Sequence, residues 1–133
     1  MPRELSAGGV AVRRMRGRWW FAAIEPNGRP GVLAATALRE VREEAGIECT
    51  LDRRLGDVRY VYTHGGQRIF KIVIFYLVRY RAGTIGQIDD AMRIEVASAR
   101  WLPVRDWKRL SYRGERDMAA KAAELLEGAR PSG

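Results

Sequence analysis

An α/β/α sandwich built on a mixed sheet is what this sequence predicts, and three observations carry it. Stretches rich in β-branched and aromatic residues recur on both sides of a helical segment. That segment, Ala34–Ala45, is dense in Ala, Leu, Arg and Glu and runs into Gly46, where the glycine that ends a helix belongs. A second helical pattern, Arg113–Glu127, closes the chain with Met118, Ala119, Ala122, Leu125 and Leu126 at amphipathic spacing. One helix between strands and one at the end favour a sandwich over a bundle or an all-β barrel.

Each element has its own local reason. Ser6–Met15 and Arg18–Ile24 read as two strands joined at Arg16-Gly17, a hairpin-type break. Pro26 to Gly31 is a loop, because Gly and Pro supply its unusual backbone angles. Asp57–Thr63 and Gln67–Arg81 are β-rich around the turn His64-Gly65-Gly66, and the second run is the most β-prone of the chain, which predicts a central strand. Glu95–Leu102 reads as a further strand ending at Pro103, and Gly128 to Gly133 as a short frayed tail. No repeat or linker divides the 133 residues, so one domain over 1–133 is expected, with its core at about 5–127.

Composition narrows the function classes. The longest apolar run, Ile72–Val78 with Tyr76 inside it, is too short to span a bilayer, and no membrane partner is expected. Met1–Leu5 lacks the apolar stretch of a secretory signal, and the single cysteine, Cys49, fits a reducing cytoplasm and a core-filling role. A net charge of +8, mostly from arginine, attracts polyanions: nucleotide phosphates, polyphosphates or nucleic acid. The arginines are spread through every segment, which equally describes a well-solvated basic surface.

The chemistry concentrates in Arg39-Glu40-Val41-Arg42-Glu43-Glu44-Ala45-Gly46-Ile47. At helical spacing Glu40, Glu43 and Glu44 crowd one face, which costs a few tenths of a kcal/mol per pair unless a cation offsets it. A hard dication such as Mg²⁺ prefers oxygen ligands of this kind. Leu38, Val41 and Ala45 fall on another face, free to pack on the sheet, and Arg39 can pair with Glu43. By charge pattern alone, a solvated helix stitched by Arg–Glu pairs explains the same residues.

This run resembles the back half of the Nudix box, Arg-Glu-apolar-x-Glu-Glu-x-Gly-apolar, of hydrolases acting on nucleoside diphosphates linked to another moiety. Ser6–Val12 is similar to that family's first strand, and Arg100-Trp101-Leu102-Pro103 to the strand end that follows its outer acidic residue, here Glu95. Leu110-Ser111-Tyr112 with Glu115-Arg116 is similar to the segment before the last helix in members that cleave dinucleoside polyphosphates. The resemblance implies a Nudix-type sandwich and a Mg²⁺- or Mn²⁺-dependent pyrophosphohydrolase. It implies Glu40, Glu43, Glu44 and Glu95 as metal ligands, Glu40 or Glu43 as general base, and Arg39 as the residue that orients a carboxylate. Tyr112 is placed to stack on a base or simply to pack, and Arg68 and Lys71 to meet phosphates or sit at a solvated strand end.

The front half of the box is absent. Counting back from Arg39, the positions of its Glu and Gly hold Gly31 and Glu25, and no acidic residue lies between Glu25 and Glu40. A loop of roughly a dozen residues is missing, more than most connections contain. A non-catalytic module of the same fold that binds nucleotides or RNA is therefore the alternative, and a dimeric interaction domain with a merely structural acidic face is a further one. Monomer and homodimer are both open.

Overall fold

The computed structural model describes residues 1–128; residues 129–133, most of the expected tail, lie outside them. In chain order the strands are β1 (Arg3–Met15), β2 (Arg18–Pro26), β3 (Ala34–Ala35), β4 (Ile47–His64), β5 (Gln67–Gly83) and β6 (Val96–Pro103), followed by helix α1 (Arg113–Glu127). The sheet runs β3-β2-β1-β5-β4, with β6 on the other side of β2. β1 and β5 are parallel, Leu5 opposite Ile72 and Val10 opposite Leu77, while every other pairing is antiparallel. The sheet is thus mixed, as expected.

The turns follow from their residues. Arg16 and Gly17 both take positive φ (55° and 72°), the geometry of a two-residue hairpin whose twist matches its strands. Gly65 and Gly66 (59° and 75°) do the same for the β4–β5 hairpin. β1 pairs with β2 only over Val12–Met15. Beyond that the strands diverge, and Ala34–Ala35 takes the vacated edge of β2 opposite Ile24 and Ala23. A bridge between Gly8 and Ala37 joins the same segment to β1.

This wedge corrects the helix expected over Ala34–Ala45. Ala34 and Ala35 are strand, and helical backbone is confined to a 3-10 turn at Leu38–Glu40 and a single π turn at Val41–Ala45. Backbone pairing to an open strand edge outweighs alanine's helix preference, a weak local term. The expected end of the segment is found: Gly46 has φ 80°, and its N–H donates to the Arg42 carbonyl at 2.9 Å. A Cβ there would lie 2.5 Å from the Gln87 carbonyl oxygen. Gly46→Ala is therefore expected to lower stability by about 2 kcal/mol, readable in a urea melt. An unchanged midpoint would mean that the turn is free to relax.

Two apolar layers result. Met118, Ala119 and Ala122 of α1 pack with Val10, Val12, Phe75 and Leu77 on one face of the sheet. On the other, Val41 and Ala45 pack with Ile24, Ile47 and Val78, and Leu38 and Cys49 sit partly buried at the margin. Leu38, Val41 and Ala45 thus face the sheet as their spacing predicts, and Cys49 is a core-margin thiol whose pKa burial pushes up to about 11. Trp19 and Trp20 diverge as adjacent strand residues must: Trp19 packs on the first layer, and the Trp20 indole N–H donates to the Met15 carbonyl. Among the described residues, no helix is long and apolar enough to cross a membrane.

Candidate functional site

The β3 segment and the start of α1 meet beside the Leu38–Ala45 turn. Leu33 donates its N–H to Ser111 Oγ, and Ser111 returns its own N–H to the Leu33 carbonyl. This double tie seats the first turn of α1 against β3, and Glu115 Oε2 then accepts the Ala35 N–H at 2.8 Å. Glu44 completes the arrangement from the π turn. Its Oε1 accepts the hydroxyl of the buried Thr36 at 2.7 Å and the Ala37 N–H at 3.1 Å. Two carboxylates thereby hold the three consecutive residues that lead into the acidic turn.

Burial dominates the electrostatics. It raises the Glu44 pKa against the Thr36 and Ala37 hydrogen bonds, and the Glu40 charge adds to the rise. Burial likewise pushes Glu115 up to about 7; the Ala35 N–H pulls the other way, and the Glu44 charge adds to the increase. Negative charge at Glu40 thus bears on Glu44, and that at Glu44 on Glu115.

Glu115 forms one wall of a cavity of about 910 Å³. Lys71, Arg59, Tyr60, Phe75 and Tyr112 supply cationic and aromatic surface around it. Arg29 Nη1 donates to the Tyr112 hydroxyl at 2.6 Å, which fixes that ring at the mouth. The volume lies within the ordinary range for small-molecule sites.

The structure brings some of the sequence-derived site residues together and leaves others apart. Glu40 and Glu44 interact directly, as their spacing predicts, while Glu43 is exposed. Arg39 is 90% exposed and its guanidinium lies 3.9 Å from Glu40, not against Glu43, because the 3-10 turn ends at Glu40 and breaks the regular spacing. A pair so exposed contributes little to stability. Glu95 caps a short 3-10 turn, exposed, with its carbonyl accepting the Asn27 N–H at 2.7 Å. The outer carboxylate that feels Glu44 is Glu115. Lys71 and Tyr112 line the cavity, whereas Arg68 sits exposed beside the β4–β5 turn opposite Thr63. Arg59 lines the cavity without being singled out in the sequence, and Glu115 is marked there only as part of the segment before the last helix, with no site role.

Among the described residues, no three His, Cys, Asp or Glu side chains converge as a group ready to hold an ion. The donors nevertheless suit a hard dication: Mg²⁺ is commonly held by one or two carboxylates plus substrate phosphate, and the Glu40–Glu44 repulsion is what such a charge relieves.

Comparison with known proteins agrees with this architecture. The chain is 37% identical over 99 residues to the mutator protein MutT4 of Mycobacterium tuberculosis, a match covering 74% of this chain and 38% of that relative's length. Its fold is similar to a Caenorhabditis elegans Ap4A hydrolase in a binary complex (TM-score 0.68, 20% identity, 92% of this chain and 97% of that one). It is also similar to the NUDIX domain of Shewanella oneidensis NrtR complexed with ADP ribose (TM-score 0.64, 16% identity, 95% and 90%). The NUDIX domain signature matches residues 10–124, and with the wedge of β3, the acidic turn and the terminal helix in place, this chain belongs to the Nudix family.

Proposed function

We propose that this chain is a divalent-metal-dependent pyrophosphohydrolase acting on a nucleoside diphosphate derivative or dinucleoside polyphosphate. The observation that carries the reading is the cavity beside the acidic turn: Glu115, Lys71, Arg59 and the rings of Tyr60, Phe75 and Tyr112 line its walls, together with Thr36 and Ala37, which Glu44 holds. A phosphate chain carries the charge to bridge such walls, and a base has the apolar faces to lie on Tyr60, Phe75 or Tyr112.

Glu40, Glu43 and Glu44 are the proposed metal ligands, Glu95 a further one from outside the turn, and Mg²⁺ or Mn²⁺ the ion. When bound, the ion supplies phosphate polarisation and a lowered pKa for a coordinated water. The chain's own residues do the rest. Lys71 and Arg59 neutralise phosphate oxygens and set the diphosphate across the cavity. Tyr112, held by Arg29, limits where the base can lie. Glu40 or Glu43 takes the proton from the attacking water, and Arg39 orients the carboxylate beside it. Water adds at one phosphorus as the bridging P–O bond breaks, leaving two phosphate-terminated products.

The short connection between β2 and β3 favours a second reading, a binding module without turnover. Glu25 closes that connection by accepting the Gly31 N–H at 3.1 Å, so the front of the box is replaced by a compact loop. Incubation with ADP-ribose and with diadenosine tetraphosphate, in Mg²⁺, Mn²⁺ or chelator, separates the two. Metal-dependent release of mononucleotides, abolished by chelator, is the expected result. Tight binding without products in any metal would support the module instead.

A further inference from the structure

Ion pairing is distributed unevenly over this chain. Every ion pair among the described residues joins positions between Arg39 and Arg81. The arginines of the β1–β2 turn and of the 3-10 segment Val104–Arg109 have no carboxylate partner there. Three of them, Arg14, Arg18 and Arg105, line one cavity of about 290 Å³ together with Trp19. All three are exposed. Glu127 is the single acidic side chain in the lining, and it forms no ion pair with them.

The cavity is separate from the one described above. Gly8 lines the first and Arg14 the second, and six residues along β1 place them about 20 Å apart. Its walls are the β1–β2 turn, the end of β6 at Pro103 and the last turn of α1. The Arg14 guanidinium stands 5.7 Å from the centre of the Trp19 ring, and Arg79 stands 5.2 Å from the same ring. Arg14 is thus within cation–π reach of Trp19, and the two form one cationic and aromatic platform beside Arg18 and Arg105.

We propose that this concavity binds single-stranded nucleic acid, with Arg14, Arg18 and Arg105 meeting successive phosphates and a base stacking on the Arg14–Trp19 platform. Three cations with no ion-pair partner among the described residues form an electrostatic footprint for a phosphate backbone. A guanidinium plane supported by an aromatic ring accepts an unpaired base of any sequence. A hollow of this volume takes one splayed nucleotide, whereas reading a duplex groove needs a protruding helix or ribbon. The site goes beyond the hydrolase reading and does not depend on it.

The test is fluorescence anisotropy of the full chain with a labelled 15-nucleotide oligothymidine. Three phosphate contacts predict that affinity falls roughly twentyfold between 50 and 200 mM salt, and removing two of them leaves roughly a threefold fall. Arg18→Ala with Arg105→Ala should produce that weaker binding and shallower slope. Arg81→Ala, which removes an ion-paired cation elsewhere, and Lys71→Ala in the first cavity should leave both unchanged. Equal loss in Arg81→Ala would overturn the proposal by showing that net charge alone does the binding. So would competition by duplex DNA as effective as by single strand. Loss in Lys71→Ala alone would instead place the strand in the first cavity and overturn the second site. All four positions are partly or fully exposed, and a melt confirms that each variant folds.

Discussion

Glu43→Gln and Glu44→Gln should each cut metal-dependent turnover about a hundredfold or more while the fold stays intact. The substitution keeps the shape of the side chain and removes the charge that a dication requires. For Glu44 the consequences can be followed atom by atom. A glutamine Oε1 still accepts the Thr36 hydroxyl and the Ala37 N–H, so the backbone entering the turn keeps both ties. The charge removed is one that burial and Glu40 already disfavour, so the melting temperature at pH 8 should hold or rise. Glu43 is exposed, and its loss leaves both apolar layers untouched. Turnover at saturating Mg²⁺ measured beside the melting temperature tests both variants. Undiminished turnover in the pair would sink the assignment of this turn as the metal site.

Glu115→Gln should stabilise the metal-free protein at pH 8 by about 3 kcal/mol, or roughly 10 °C in melting temperature. The carboxyl titrates at 4.5 when unhindered and at about 7 in the fold, so the native state binds the extra proton between those values. Stability from this group is therefore fully present below pH 4.5, falls as pH rises through the window, and is lost above 7. Glutamine resembles the protonated form at every pH and still accepts the Ala35 N–H. The gain over wild type should accordingly shrink towards pH 4.5, in chelator so that bound cations do not offset the charge. A wild-type melting temperature that stays flat from pH 5 to 8 would refute the burial argument. The cost that wild type bears at neutral pH points to a carboxylate retained for what it does at the cavity wall.

What the sequence discloses here depends on how local the cause is. Arg113–Glu127 is read to the residue because its apolar stripe is decided within the helix. The glycine that ends the acidic turn is equally local, since only its own φ and the Arg42 carbonyl are involved. Ala34–Ala35 is misread because its fate depends on an edge of β2 vacated by β1, which no window of residues around Ala34 contains. The first half of β4 escapes notice because Glu48–Arg54 is broken by bulges and does not alternate. At the site, the nearness of Glu40 and Glu44 is legible from their spacing. The position of Glu115 is not, because its hydrogen-bond partner is Ala35, eighty positions away. Arg59 is missed for a related reason: its place at the cavity follows from the register of β4 on β5, set far from its own neighbours.

β4 lies at the end of the sheet, paired only with β5, and its register shifts at Glu48/Cys49, Leu51/Arg53 and Arg54/Gly56. The last two shifts each add a residue to β4, Asp52 and Leu55, and the first adds Arg81 to β5; each increases the local twist. Arg53, Arg54 and Arg59 are exposed along the same strand, paired with Asp52 or Asp57, so that charged side chains line the open edge. An 18-residue strand with an open ladder is otherwise a template for fibril growth. The irregularity that hides β4 from the sequence is thus also what makes the open edge of the longest strand a poor template for a straight partner.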